Sequence, residues 1–287
     1  MTIDSRVGRF LTGDGLTLVG DLLGDPSDPA VVLLHGGGQT RHSWGEAARL
    51  LVLAGYYVVN FDARGHGESD WSPSGDYSLR ALSSDLMTVL ETVETPAALV
   101  GASLGGITAF HAAGSNAHPI ASALVLVDIV LRPSNAGVER IHKFMRAHDD
   151  GFASIEEAAE AVSRYNADRP KPADTSGLRK NLRLREDSRL YWHWDPRIID
   201  TEPSAEPTSF SEELVAVSGG VTLPTLLVRG GRSDMVDDAG TKEMASLVPH
   251  LDVLCVDAAG HMVAGDRNDN FVADILFWLR RVHPAGT

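Results

Sequence analysis

The sequence predicts an α/β fold: a mostly parallel sheet covered by helices on both faces and interrupted once by an inserted helical segment. Three observations carry this reading. Short apolar runs alternate with longer stretches of helical spacing along most of the chain, as in a sheet buried on both sides. The pentapeptide Gly101-Ala102-Ser103-Leu104-Gly105 stands between an apolar run and a helix-like run. Between residues 131 and 222 the strand-like runs stop and helical pieces replace them. The expected division is a core at 1–130, a helical cap at 131–222 and a second part of the core at 223–287.

The elements follow in order. Residues 16–23 read as a strand of an opening hairpin, after the turn Gly13-Asp14-Gly15. Residues 30–35 form a continuous apolar strand, 43–54 a helix closed by Gly55, and 56–61 the next strand. Residues 79–94 have helical spacing, with Leu82, Leu86, Val89, Leu90 and Val93 on one face. The strand 97–101 leads into Ser103, and a helix opens at Gly105. Another strand spans 121–128. In the inserted segment, helices are expected at 138–147 and 155–165. Ser154-Ile155-Glu156-Glu157 and Ser209-Phe210-Ser211-Glu212 read as capping boxes, and Arg169-Pro170-Lys171-Pro172 as a break. Strands at 225–230 and 251–256 and an amphipathic helix at 268–282 complete the chain.

Composition narrows the function classes. The 287 residues carry a formal charge of −14 and form no basic patch, so nucleic acid is not an expected partner. The acidity reads as a solvated surface. The single cysteine, Cys255, lies in an apolar run and is expected to be a buried, inert thiol. It has no partner within the chain for a disulfide, which fits a reducing cytoplasm. Residues 1–6 carry no apolar signal core, and no apolar run is long enough to span a bilayer, so no membrane partner is expected.

The chemistry centres on Ser103. A serine on a strand-to-helix turn is exposed, with the amide of the next residue, Leu104, close by. Its hydroxyl needs a base to take the proton. Of eleven histidines, His261 is best placed: it follows the strand 251–256 in the loop Asp257-Ala258-Ala259-Gly260-His261, at a strand's carboxyl end. The imidazole needs an orienting carboxylate. Asp234, in Gly230-Gly231-Arg232-Ser233-Asp234, is the first choice, and Asp128, at the end of Leu124-Val125-Leu126-Val127, is its rival. An oxyanion hole is expected from the amides of Leu104 and Gly37, with Gly36 or Gly38 as alternatives in His35-Gly36-Gly37-Gly38. His35 is expected to brace that loop. No H-E-x-x-H spacing and no G-x-G-x-x-G after a strand is present, so neither a metal nor a cofactor is expected. Tyr191, Trp192, His193 and Trp194 concentrate aromatics in a chain with few of them. They are expected to line a substrate pocket under the cap, or else to pack the cap's own core.

Five stretches, in this order, resemble the α/β-hydrolase superfamily and its capped members: His35-Gly36-Gly37-Gly38, Phe61-Asp62-Ala63-Arg64-Gly65-His66-Gly67-Glu68-Ser69, residues 101–106, Gly230-Gly231-Arg232-Ser233-Asp234 and Gly260-His261. The resemblance covers nearly the whole chain and implies the α/β-hydrolase fold, with an eight-stranded sheet and an inserted helical cap. The second stretch looks like the family's D-x-R-G-x-G-x-S turn, a structural element, so Arg64 and His66 are given no catalytic role. Capped epoxide hydrolases and dehalogenases carry an aspartate where this chain has Ser103. Hormone-sensitive-lipase relatives share the glycine loop but usually have an acidic residue where this chain has Ala102. The expected protein is a cytoplasmic, carboxylesterase-like serine hydrolase. It would act through an acyl-enzyme on a small or medium acyl compound as its small-molecule partner. The alternatives are a carbon–carbon bond hydrolase of a ketonic substrate, a cofactor-free perhydrolase or oxygenase, and a non-enzymatic ligand receptor.

Overall fold

A computed structural model describes residues 4–94, 97–165, 175–199, 210–256 and 269–285. The elements are β1 (Ser5–Leu11), β2 (Thr17–Leu23), β3 (Ala30–Leu34), α1 (Gly45–Leu53), β4 (Tyr57–Phe61), α2 (Leu79–Leu90), β5 (Ala98–Ala102), α3 (Leu104–Ser115), β6 (Ala123–Val127), α4 (Asn135–Arg146), α5 (Ile155–Tyr165), β7 (Leu182–Leu184), β8 (Leu190–Trp192), α6 (Phe210–Val217), β9 (Thr225–Gly230), α7 (Asp238–Leu247), β10 (Leu251–Val256) and α8 (Asp269–Val282).

Eight strands form one sheet in the order β1-β2-β4-β3-β5-β6-β9-β10. β1 and β2 are antiparallel to each other, β2 is antiparallel to β4, and the remaining pairs are parallel. Every residue of β3, β4, β5 and β6 is buried, which is why these strands read as unbroken apolar runs rather than alternating ones. One face of the sheet packs against α2, α3, α6 and α7 through residues such as Leu86, Phe110, Leu214 and Met244. The other packs against α1 and α8 through Ala48, Leu51, Ile275 and Leu279. The fold is the α/β-hydrolase fold that the sequence implies.

Chain direction across the sheet reverses between β3 and β5. From β3 the chain moves outward to β4, then crosses back to place β5 on the other side of β3. Loops diverge at such a switch point and leave a crevice at the strands' carboxyl ends. The loop after β3 and the turn after β5 lie at this switch point.

Two details differ from the sequence reading. The inserted segment is not wholly helical, because β7 and β8 pair as a small antiparallel ribbon. Each strand has three residues, too short to show a period. Cys255 is exposed, not buried. β10 is an edge strand whose residues are in no case buried; Leu254 and Val256 pack toward one core and Leu251 toward the other, while Asp252, Val253 and Cys255 are exposed. An apolar run on an edge strand turns every second residue outward.

The turn after β4 is built from charge pairs. Arg64 is buried and makes a two-pronged ion pair with Asp85 of α2, with both bonds at 2.6 Å, and a further bond to Asp14 at 3.0 Å. Asp62, fully buried, accepts the Arg41 N–H at 2.7 Å and the Glu68 N–H at 3.0 Å, and pairs with the Arg41 guanidinium. Burial alone would disfavour these charges, and the bidentate geometry offsets it. Arg64 therefore ties the turn to α2 and to the β1–β2 hairpin turn.

Candidate active site

Ser103 occupies the single residue between β5 and α3. Its backbone lies at φ 46°, ψ −117°, a region that L-residues rarely adopt. The turn is held by the Ser103 N–H donating to Val127 O at 3.1 Å and the Ile107 N–H donating to Ser103 O at 2.9 Å. Its glycines are required by space. A Cβ on Gly101 would lie 2.5 Å from Gly105 O, and one on Gly105 would lie 2.4 Å from Leu34 O. Leu104 begins α3, so its amide is among those a helix leaves without an intrahelical partner.

The loop after β3 lies against this turn. A Cβ on Gly36 would sit 3.4 Å from Ser103 Cβ, and one on Gly37 would sit 3.9 Å from Leu104 Cβ. His35 braces the loop, as expected. Its Nδ1 bonds to Gly36 O at 2.8 Å and its Nε2 accepts the Ala63 N–H at 3.0 Å. The Gln39 N–H also donates to Gly36 O, at 3.1 Å. In a trans peptide the N–H points opposite the carbonyl, so these bonds direct the Gly37 N–H away from them.

The two candidate acids differ in setting. Asp128 directly follows β6, the neighbour of β5, and is 1% exposed. Like Ser103, it has a positive φ, at 53°. Its carboxylate accepts the Gly230 N–H at 2.8 Å and the Ser233 hydroxyl at 2.6 Å. Asp234 has a side chain 40% exposed and lies 2.8 Å from Arg140 of α4. His261, the expected base, lies outside the described residues.

Residues 29–267 match the family model described as alpha/beta hydrolase fold. The chain belongs to the α/β-hydrolase family. Among relatives of this hydrolase, "Esterase Rv0045c" of Mycobacterium tuberculosis is 29% identical over 84% of this chain and 79% of its own. The "sn-1-specific diacylglycerol lipase ABHD11" of Mus musculus is 29% identical over 89% of this chain and 82% of its own. A crystal structure of an alpha/beta hydrolase from Novosphingobium aromaticivorans superposes with a TM-score of 0.78 at 26% identity, covering 98% of this chain and 99% of that one.

The inserted segment of the hydrolase meets the loops after β3 and β4. Asp195 anchors it: its N–H donates to Gly65 O at 2.9 Å and its carboxylate accepts the Tyr77 hydroxyl at 2.6 Å. Sequence reasoning gave Asp195 no role, since the partners lie far away in the chain. Of the four residues expected at a pocket, Trp194 and His193 reach the glycine loop. A Cβ on Gly38 would lie 3.5 Å from Trp194 Cζ3 and 3.6 Å from Met145 Sδ. Met145 carried no signal in the sequence beyond its place on a helix. Trp192 packs among Phe144, Phe152 and Trp194, stacking on Trp194 at 4.9 Å. Tyr191 donates its hydroxyl to Asp187 at 2.7 Å and lies under Arg185.

Two substitutions separate packing from pocket. Trp192→Ala is expected to cost about 3–5 kcal/mol of stability, with kcat/KM changed less than about threefold. Trp194→Ala is expected to shift the preferred acyl-chain length, because its ring lies over Gly38. Urea unfolding and a chain-length series of aryl esters measure the two effects.

His35, His66 and His193 form a buried cluster, with ring centroids at 5.1 Å and 5.8 Å. Burial, reinforced by the neighbouring imidazole, pushes His66 down to about 3. Burial likewise lowers His35 and holds His193 well below its ordinary value. The unfolded chain takes up these protons near pH 6.5, whereas the native state refuses them until about pH 3 at His66. The unfolded state therefore binds more protons between those values. The stabilisation is complete above pH 6.5 and is lost as pH falls, by up to about 1.4 kcal/mol per pH unit per histidine. Urea unfolding from pH 7.5 down to pH 5 is expected to show this decline, and His66→Asn to make it shallower.

Proposed function

We propose that this hydrolase cleaves a carboxylic ester of small or medium size through an acyl-enzyme formed on Ser103. The observation that carries the reading is the strained Ser103 backbone at the head of α3, faced by the Gly36–Gly38 loop. In this reading the Ser103 hydroxyl attacks the ester carbonyl while His261 takes its proton. The amides of Leu104 and Gly37 receive the negative charge that develops on the carbonyl oxygen. His261 returns the proton to the departing alcohol. Water, activated by the same histidine, then releases the acid and restores Ser103.

Two carboxylates compete to orient His261, and burial favours Asp128. A buried carboxylate with fixed partners holds an imidazole in one tautomer more firmly than an exposed one paired to an arginine. Asp128 accepts from Gly230 and Ser233, which hold its carboxylate in one orientation. Asp234, the first choice from the sequence, is the alternative. The relatives named as an esterase and a lipase support ester chemistry over carbon–carbon cleavage or oxygen chemistry.

A panel of short-chain aryl esters, lactones and β-diketones tests the substrate class. Hydrolysis of the aryl esters at a kcat/KM of about 10³ M⁻¹s⁻¹ or more, with the diketones inert, is the expected result; typical enzymes reach about 10⁴–10⁸ M⁻¹s⁻¹ on their own substrates. Diketone cleavage without ester hydrolysis would overturn the reading.

A further inference from the structure

Gly38, next to the proposed oxyanion donor, is held on both sides by histidines from distant parts of the chain. It has φ 71°. Its N–H donates to His66 Nε2 at 3.1 Å, and its carbonyl lies 3.4 Å from His193 Nε2. His193 Nδ1 accepts the Gly67 N–H at 2.8 Å. A neutral imidazole that accepts at one nitrogen carries its proton on the other. His193 therefore donates from Nε2 to the Gly38 carbonyl. By the same logic His66 accepts at Nε2 and donates from Nδ1 to Arg64 O, at 3.1 Å.

The tautomers leave no lone pair for a metal, and among the described residues no group of His, Cys, Asp or Glu is arranged to hold one. The arrangement instead fixes peptide planes. His35 and Gln39 hold the 36–37 peptide through the Gly36 carbonyl, His66 holds the 37–38 peptide, and His193 holds the 38–39 peptide. Two of the three restraints come from the core. The third comes from the inserted segment, which is docked nearby by Asn181. The Asn181 carbonyl accepts the His193 N–H at 3.2 Å, and its side-chain oxygen accepts from Thr40 Oγ1 at 3.3 Å.

We propose that His193 is a positioning residue for the oxyanion hole: by holding the Gly38 carbonyl from the cap, it keeps the Gly37 amide aimed at the reacting carbonyl only while the cap is seated. The inference rests on the serine-hydrolase reading above. It makes the cap part of the catalytic geometry as well as a cover. A donor misaimed by about an ångström forfeits much of its effect on the transition state and little of its effect on substrate binding.

The two amide side chains separate His193's two bonds. Asparagine places its oxygen near the Nδ1 position, so His193→Asn keeps the Gly67 bond and cannot reach Gly38. Glutamine extends to the Nε2 position, so His193→Gln restores a donor to the Gly38 carbonyl. For each full-length variant, kcat and KM on a short-chain aryl ester, the rate of inactivation by a fluorophosphonate and the Tm are measured. His193→Asn is expected to lower kcat and the inactivation rate about tenfold or more, with KM changed less than about threefold. His193→Gln is expected to recover most of both rates. Thr40→Val, which loosens the same docking without touching the histidines, is expected to lower kcat in the same sense and serves if a His193 variant does not fold.

An Asn variant with wild-type kcat and inactivation rate overturns the proposal. So do equal losses in the Asn and Gln variants that follow their Tm, or an unchanged kcat in Thr40→Val where the His193 variants do not fold. A wild-type protein that neither hydrolyses the ester nor reacts with the fluorophosphonate overturns the serine-hydrolase reading itself, which separates that failure from the others.

Discussion

Ser103→Ala is expected to lower kcat on an aryl ester by about 10³-fold or more while leaving the thermal transition within a few degrees of wild type. The large effect follows from losing the covalent step. The small structural effect follows from what holds the turn: the bonds that shape it run through the backbone of Ser103, from its N–H to Val127 O and from its carbonyl to the Ile107 N–H. Alanine keeps both bonds. It also keeps Gly101 and Gly105, whose absent side chains let β5, α3 and the end of β3 approach. Steady-state kinetics beside a thermal melt reads both quantities, and a variant that retains more than about a tenth of the wild-type rate contradicts the acyl-enzyme.

The second large effect concerns the acid. Asp128→Asn is expected to cost about 10³–10⁴-fold in kcat, since an amide in place of the carboxylate favours the wrong imidazole tautomer. Asp234→Asn is expected to cost less than about tenfold. Its carboxylate is 40% exposed and meets Arg140 at 2.8 Å, so its loss chiefly removes a surface pair between α4 and the loop after β9. Asp128→Asn also disturbs the bonds to Gly230 and Ser233. The Tm must therefore be measured beside the rate, and a rate loss far larger than the fall in folded fraction marks a catalytic effect. The reverse order of the two rate losses would return the role to Asp234.

The difference between these acids shows where sequence reading runs out. The sheet's centre was legible because β3 to β6 are buried on both faces and so read as uninterrupted apolar runs. The turn at Ser103 was legible because its glycines are forced by close backbone approach. Asp128 and Asp234 both follow apolar strands, and nothing in the local sequence distinguishes a carboxylate buried between the ends of β6 and β9 from a half-exposed one paired with α4. Strand order and burial make that distinction. The exposure of Cys255 has the same origin, since an edge position for β10 cannot be read from its composition. The ribbon of β7 and β8 is too short for any period. His193 stood out only as a neighbour of tryptophans. Its partners Gly67 and Gly38 are 126 and 155 residues away in the chain.

The central claim is that Ser103 forms a covalent intermediate, and the most direct measurement is active-site labelling. Wild-type protein treated with a fluorophosphonate, digested and mapped by mass spectrometry should carry one stoichiometric phosphonyl group on the peptide containing Ser103. The label should be absent from Ser103→Ala. A label on another residue, or an unlabelled wild-type protein that still hydrolyses its ester, would contradict the account.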